Sequence, residues 1–344
     1  MRVREITPAD APAWEAFVAR CEAATLFHRL PWREVILPTF GHRPVFLLAE
    51  NESGVRGVLP LVILKTRFFG TLAVSMPFLN YGGVATDDEQ AEAALLVEAE
   101  RIGREMGCKY VEFRHRQLFA AAKDLPTNDF KVTSILDLSP GEEAVWMKSL
   151  HQNVRNKIRK ADKSDVSIVF GHQGLDDFYR VFTINQRNHG TPVLPKKWFV
   201  RTLNAFNREA RIYVAYREGR AIGAKLTIDH GGTCYFIWSA SLREANRYAP
   251  TPAMNWAAIR GAIGRGLRKV DLGRSTKGTG SQQFKKYWGV ETETLYWQYH
   301  LLQTDETPGL NPTNPKFERA IRTWKKLPVW LTRLLGPPLA RDLP

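Results

Sequence analysis

Apolar and polar positions along the chain trace the same theme twice. In the first half, Val45–Ala49 reads as a strand, Asn51–Gly54 as a turn and Val55–Leu64 as the returning strand. A third apolar run, Leu72–Phe78, leads into the loop Asn80–Val84. Residues 87–107 then show helical periodicity, with acids at the start and glycine at the end, and Tyr110–Phe113 is the strand that follows. In the second half Arg211–Tyr216, Ala221–Ile228 and Thr233–Ser239 alternate with turns at Arg217–Arg220 and Gly231–Gly232. Pro252–Gly266 reads as a helix opened by proline and closed by glycine, and Lys269–Leu272 as the next strand.

Local matches support a duplication, beside the plainer reading of a shared generic α/β grammar. Gly107-Cys-Lys-Tyr-Val111 parallels Gly266-Leu-Arg-Lys-Val270 at the helix-to-strand junction, and Gly57 and Gly223 occupy corresponding places in the returning strands. The expected fold is α+β: two tandem domains with mixed, largely antiparallel sheets and a C-terminal helical tail. The boundaries are residues 1–140, residues 141–305 with a basic helix at the start, and residues 306–344. Between the halves, residues 141–163 read as one helix, and 176–189 and 195–206 as two more. The tail carries Pro308, Pro312, Pro315, Pro328, Pro337 and Pro338, so it reads as an appended amphipathic helix, basic and aromatic, flanked by extended chain.

A length of 344 residues suits two cores, and 44% hydrophobic with 24% charged residues is globular composition. Cys21, Cys108 and Cys234 lie far apart with no CxxC pair, which argues against a disulfide framework or a zinc site. No metal is expected. The N-terminus lacks an apolar signal core and no stretch is long enough to span a bilayer, so the expectation is a cytoplasmic protein, peripheral at most to the inner face of the membrane. The net charge of +14 changes the picture: it favours anionic partners without choosing among nucleic acid, anionic lipid and phosphorylated substrates.

Three constellations carry candidate chemistry. In Leu150–Ala161, Arg155 and Arg159 stand one turn apart, and arginine forks match phosphate and carboxylate geometry. The same run also suits a solvated helix face. The polar loop after Ser239 feeds a proline-opened helix whose free N–H groups favour anions, so Tyr248, Thr251 and Asn255 are candidate lining residues beside the plain reading of a surface loop. Third, Asp271-Leu-Gly-Arg274-Ser275 is followed by Phe284-Lys-Lys-Tyr-Trp288. Phe284 and Trp288 would pack, Lys285 would stabilise charge on a carbonyl oxygen in acyl transfer, and Asp271 would anchor Arg274 or a substrate amine. Read by itself, Phe284–Trp288 equally suits a strand edge or helix start with core aromatics. For the proton, Asp271, His189 and the substrate itself are open choices. No P-loop, dinucleotide fingerprint, HExxH or GxSxG is present, and no segment forms the CoA pyrophosphate loop: Arg220–Ala224 lies within a strand and the glycines after Arg274 come one residue late.

Taken in order, these motifs resemble the FemAB-related family, whose members fuse two acetyltransferase-like (GNAT) domains. The series is Phe27–Trp32, Pro77–Gly83, Asn153–Ala161, Asn188–Pro192, Tyr248–Asn255, Asp271–Arg274 and Phe284–Gly289. The likeness spans about residues 1–305 and is similar in particular to the branch associated with exosortase/PEP-CTERM and exopolysaccharide systems. It implies an acyltransferase acting by direct transfer on an amine or hydroxyl of a cell-envelope precursor. Better-known members move an amino acid from aminoacyl-tRNA to a peptidoglycan precursor. The resemblance places Phe284 and Lys285 at the reacting ester, Arg155 and Arg159 near substrate phosphates, and Tyr81 facing the same cleft. Asp271 completes the catalytic set; Tyr248, Asn255, Arg274, Trp288 and His189 join the substrate-binding set. The loop reads Tyr81-Gly-Gly where peptidoglycan enzymes carry Arg-Gly-Pro, and no long charged arm is present.

The implied donor is therefore aminoacyl-tRNA or acyl-CoA, with no tightly bound cofactor. Implied partners are an anionic or lipid-linked precursor, tRNA, and an anionic membrane met through residues 315–335, where cations mix with Trp and Leu; the same tail equally suits a terminal helix packed on its own domain. Three other readings stand beside this one, among them nucleic-acid binding, for which no known motif is visible. A CoA-dependent N- or O-acetyltransferase lacks its pyrophosphate loop, and a non-catalytic membrane-surface assembly factor would keep the fold without the chemistry.

Overall fold

The computed structural model describes residues 1–308 and 315–343. Contacts divide the chain into two compact units. One is Met1–Val132 with Glu293–Gly309 and Arg341–Pro344, and the other is Thr133–Thr292 with Leu310–Ala340.

The first unit contains, in order, β1 (Arg2–Glu5), α1 (Ala11–Arg20), α2 (Pro31–Phe40), β2 (Arg43–Asn51), β3 (Gly54–Thr66), β4 (Gly70–Ser75), β5 (Ala85–Thr86), α3 (Glu89–Glu105) and β6 (Tyr110–His115). Strands β2, β3 and β4 form an antiparallel meander, and the chain crosses through α3 so that β6 runs parallel to β4. Helix α3 begins where the Asp88 carboxylate accepts the N–H groups of Gln90 and Ala91. Its inner face buries Leu95, Leu96 and Ala99 against Leu47, Leu59 and Leu61. The helix ends at Gly107, which takes a φ of +64°.

Strand β7 (Thr127–Asp137) leads from the first unit into the second. There follow α4 (Glu142–Ala144), α5 (Gln152–Lys163), β8 (Ser167–Phe170), α6 (Leu175–His189), α7 (Lys196–Ala205), β9 (Ala210–Arg217), β10 (Arg220–His230), β11 (Thr233–Ser241), α8 (Pro250–Gly264), β12 (Lys269–Asp271), β13 (Ser275–Thr276) and α9 (Gly280–Lys286). The strand order is β8, β9, β10, β11, β12 and the end of β7. Here too an antiparallel run, β9 to β11, is followed by a helix and a parallel strand, β12 against β11.

The two glycines matched in sequence do the same job in each unit. A Cβ on Gly57 would stand 3.0 Å from the Leu95 side chain of α3, and one on Gly223 would stand 2.8 Å from the Met254 side chain of α8. In both places the missing side chain lets the helix lie close on the returning strand. Gly266, like Gly107, has positive φ at its helix-to-strand junction.

The structure departs from the sequence reading in three places here. Residues 141–163 are not one helix: α4 runs into a π-helical turn, Val145–Ser149, Leu150 is extended, and His151 caps α5 by accepting the Asn153 N–H. The Arg155 guanidinium takes up the carbonyls freed by this break. The run Leu72–Phe78 stops being strand at Ser75, because Met76 and Phe78 adopt left-handed φ of 48° and 69°. Strand β14 (Glu291–Leu301) pairs antiparallel with β6, from Tyr296 opposite His115 to Leu301 opposite Tyr110. Residues 293–305, grouped with the second domain by sequence, therefore lie in the first unit.

The tail is two helices, α10 (Pro315–Lys326) and α11 (Val329–Ala340). Both pack on α6: Gly190 at its end lies against Ile321, Gly336 fits against Val193, and the Arg333 guanidinium stands 5.2 Å from the Tyr179 ring centre. Trp330 and Leu334, one turn apart on α11, remain 68% and 67% exposed. The extended chain read around Pro312 lies outside the described residues. No helix among the described residues is long and apolar enough to cross a membrane.

Candidate active site

The β12–α9 segment of the second unit carries all three residues of the predicted catalytic set, Asp271, Phe284 and Lys285. Asp271 ends β12 almost wholly buried, and its Oδ1 accepts the Thr133 hydroxyl at 2.6 Å and the Gly273 N–H at 2.7 Å. The chain then turns at Gly273, with φ of 82°, and climbs to α9. Phe284 to Lys286 belong to this helix, which settles the choice between strand edge and helix start. From α9 the Lys285 ammonium reaches back to the turn and donates to the carbonyl oxygens of Gly273 at 2.6 Å and Arg274 at 3.0 Å. Two of its three donors are thereby used and one is left.

Burial pushes the Lys285 amine down to about 8; the Asp271 carboxylate opposes this shift and the Arg274 guanidinium adds to it. Phe284 meets Trp288 edge to face with centroids 6.2 Å apart, and Trp288 is fully buried. The aromatics thus hold α9 while the lysine faces the turn.

The other predicted residues divide. Arg155 is in the same unit, but its guanidinium donates to the carbonyls of Trp146, Met147 and Leu150, at 3.1, 3.1 and 2.6 Å. It is a cap for the π-helical turn rather than half of a two-arginine clamp. Arg159 lies 5.6 Å over the Trp146 ring, with its solvent side open. Tyr248 is flanked by the guanidinium groups of Arg217 and Arg247, at 4.2 and 4.8 Å. Asn255 is buried on α8, and its Oδ1 finds no donor among the described residues. His189 ends α6, and burial, with the Lys325 charge, pulls its imidazole down.

Tyr81 belongs to the first unit. It is buried edge to face on Phe27 and lines a cavity of about 450 Å³ with His28, Gly83, Arg114, Arg116 and Glu293. The wall is tightly built: Arg114 and Glu112 form a buried ion pair at 2.6 Å, Arg116 pairs with Glu293, and burial pulls His28 down to about 4. Gly83 is required there, since a Cβ would stand 2.3 Å from His115 Nδ1.

Two features escaped the sequence reading. The strand read as Tyr110–Phe113 continues through Arg114 and His115, with Arg116 just beyond its end, and the two arginines after an apolar strand are the signal. Lys225 was passed over as part of β10. A lysine in the apolar run Ala221–Ile228 was the visible anomaly, and it is 2% exposed.

Comparison with known proteins now adds to this geometry. An acetyltransferase (GNAT) domain profile matches residues 148–286, the stretch from α5 through α9. The UDP-N-acetylmuramoylpentapeptide-lysine N(6)-alanyltransferase of Weissella viridescens is 26% identical over 147 residues, 42% of this chain and 44% of that protein. A crystal structure of FemX superposes with a TM-score of 0.69 at 16% identity, covering 88% of this chain and 98% of that one. The chain shares its fold with FemX. The duplicated architecture also has a solved counterpart, a tandem GNAT protein from the clavulanic acid biosynthesis pathway, with a TM-score of 0.53 at 11% identity over 87% of this chain and 98% of that one. The fold is therefore that of two GNAT-like units. The aligned segment spans less than half the length of the Weissella alanyltransferase.

Proposed function

We propose that this protein is an acyltransferase that moves an acyl or aminoacyl group directly onto an amine or hydroxyl of a cell-envelope or exopolysaccharide precursor. The observation that carries the reading is Lys285: a half-buried ammonium, fixed by two backbone carbonyls inside the matched GNAT segment, with one donor to spare. Such a donor stabilises the negative charge that develops on a carbonyl oxygen, a contribution worth about 10²–10³ in rate for a single donor. The similarity to an alanyltransferase supports an aminoacyl donor and a muramoyl-pentapeptide acceptor. The donor is aminoacyl-tRNA or acyl-CoA, and neither is a resident cofactor.

The protein works at the cytoplasmic face of the membrane, where lipid-linked precursors lie. Residues 315–335 form its peripheral contact: exposed Trp330 and Leu334 offer apolar anchors, and Arg319, Arg322, Lys325, Lys326 and Arg333 attract anionic lipid.

The test is a transfer assay with the full chain, supplying alanyl-tRNA or acetyl-CoA with UDP-N-acetylmuramoyl-pentapeptide and reading the acceptor mass. The expected result is a mass gain with one donor that Lys285→Ala abolishes while circular dichroism stays unchanged. Undiminished transfer in Lys285→Ala would remove this lysine from the chemistry. No gain with either donor refutes the donor and acceptor named here.

A further inference from the structure

Direct transfer to an amine needs a group to receive the proton that the nucleophile sheds. Asp271 is poorly placed for this, since its Oδ1 is committed to Thr133 and Gly273. His189 stands at the end of α6, where Lys325 of α10 adds a positive charge. Lys285 spends two of its N–H groups on backbone carbonyls and is the cation of the site.

Lys225 differs from all three. It is 2% exposed on β10, and its Nζ stands 4.1 Å from the centre of the Phe236 ring. Among the described residues no carboxylate or carbonyl accepts a hydrogen bond from it, an unusual condition for a buried lysine. The elements around it explain why it stays unpaired. Tyr213 of β9, its cross-strand neighbour, and Cys234 of β11 are pushed up by burial and remain neutral. Asp229, further along β10, is held by Arg211 and Arg265. Helix α8 covers the same core with Ala258, Ile259 and Ala262, and its buried Asn255 leaves an oxygen without a donor. Lys285 is the charged neighbour, and it has the same sign. Burial first, then Lys285, pulls the Lys225 amine down to about 7, so a neutral lone pair is available beside a fixed cation.

We propose that Lys225 is the proton acceptor of the acyl transfer, acting beside Lys285 as the oxyanion donor. The assignment rests on the acyl-transfer reading given above. The acceptor ammonium gives one proton to Lys225, and the freed nitrogen lone pair forms the bond to the donor carbonyl carbon. The carbonyl π pair moves onto oxygen, where Lys285 meets it. When the pair returns, the bond to the donor's leaving oxygen or sulfur breaks. The second proton of the attacking nitrogen passes to that leaving atom, and Lys225 releases its own proton to water.

Two measurements on the full-length protein test this. In an NMR titration with ¹³Cε-labelled lysine, assigned by the signal missing in Lys225→Met, Lys225 is expected to titrate near 7. A midpoint above about 10, the ordinary lysine value, overturns the assignment whatever the substrate. In the transfer assay, kcat/KM of the unsubstituted protein should fall below about pH 7. Lys225→Met should lose about 10²–10⁴ of it together with that acidic limb, without a change in donor KM. If Lys285→Ala abolishes transfer but Lys225→Met keeps the limb, the proton acceptor is refuted and acyl transfer stands. If neither donor supports transfer, the assignment falls with the reading on which it depends.

Discussion

The Thr133 hydroxyl donates to Asp271 Oδ1 at 2.6 Å, joining the end of β7 to the strand that carries the Lys285 turn. The same oxygen holds the Gly273 N–H, and the Gly273 carbonyl in turn holds Lys285. Thr133→Val keeps the shape and removes one donor from a buried carboxylate, which costs about 1–3 kcal/mol. The expected result is a lower urea midpoint at pH 7 with an unchanged m-value, and a smaller loss of transfer than Lys285→Ala causes.

Lys225 also leaves a mark on stability. Its folded amine is pulled to about 7, while the unfolded chain binds the proton up to the ordinary lysine range. Between these values the unfolded state holds more protons, so this group's contribution is fully present above about pH 10.5 and is lost as pH falls through 7. Lys225→Met should therefore be more stable than the unsubstituted protein at pH 6. The gap should narrow as pH rises from 7, followed by denaturant unfolding at a series of pH values.

Glu112 and Arg114 form a pair in which both side chains are nearly inaccessible, and Arg114 also stacks 4.5 Å over Trp297. Removing one partner strands the other charge, so Glu112→Gln should cost about 3–5 kcal/mol in chemical denaturation. A change below 1 kcal/mol would mean that water reaches this pair.

Gly289 follows α9 with φ of 72°, and a Cβ there would stand 2.4 Å from the Ser149 carbonyl oxygen. The obstacle is backbone, which moves far less readily than a side-chain tip. Gly289→Ala should cost at least about 1–2 kcal/mol from the left-handed conformation alone. Its amide spectrum should change at the π-helical turn as well as at the substituted residue.

For the tail, the chain should co-sediment with vesicles containing phosphatidylglycerol and not with purely zwitterionic ones. Replacing Trp330 and Leu334 together by Ser should abolish that binding while the thermal midpoint holds, because both side chains face solvent. Binding that persists assigns the contact elsewhere on the cationic surface.

The duplicated α+β grammar was legible because it rests on local signals. Turn glycines, the acids that open α3 and the glycines that close both crossing helices need no knowledge of distant residues. Lys285 stood out for a similar reason, sitting between aromatics that had to pack. What stayed hidden depends on contacts remote in sequence. Arg155 looks free until the chain breaks at Leu150 and exposes three carbonyls to it. The place of β14 follows from pairing with a strand some 180 residues earlier. Lys225 became meaningful only when Lys285, 60 positions away, was found to act on it.

The return of the chain to its first unit imposes an order on biosynthesis. When the ribosome has released β6, that strand can already pair with β4, but its other edge waits until β14 emerges. A fragment ending at residue 140 would bear a bare ladder of amide groups and invite self-association. Producing the N-terminal unit in isolation thus calls for residues 1–132 spliced by a short linker to 293–308, not for truncation.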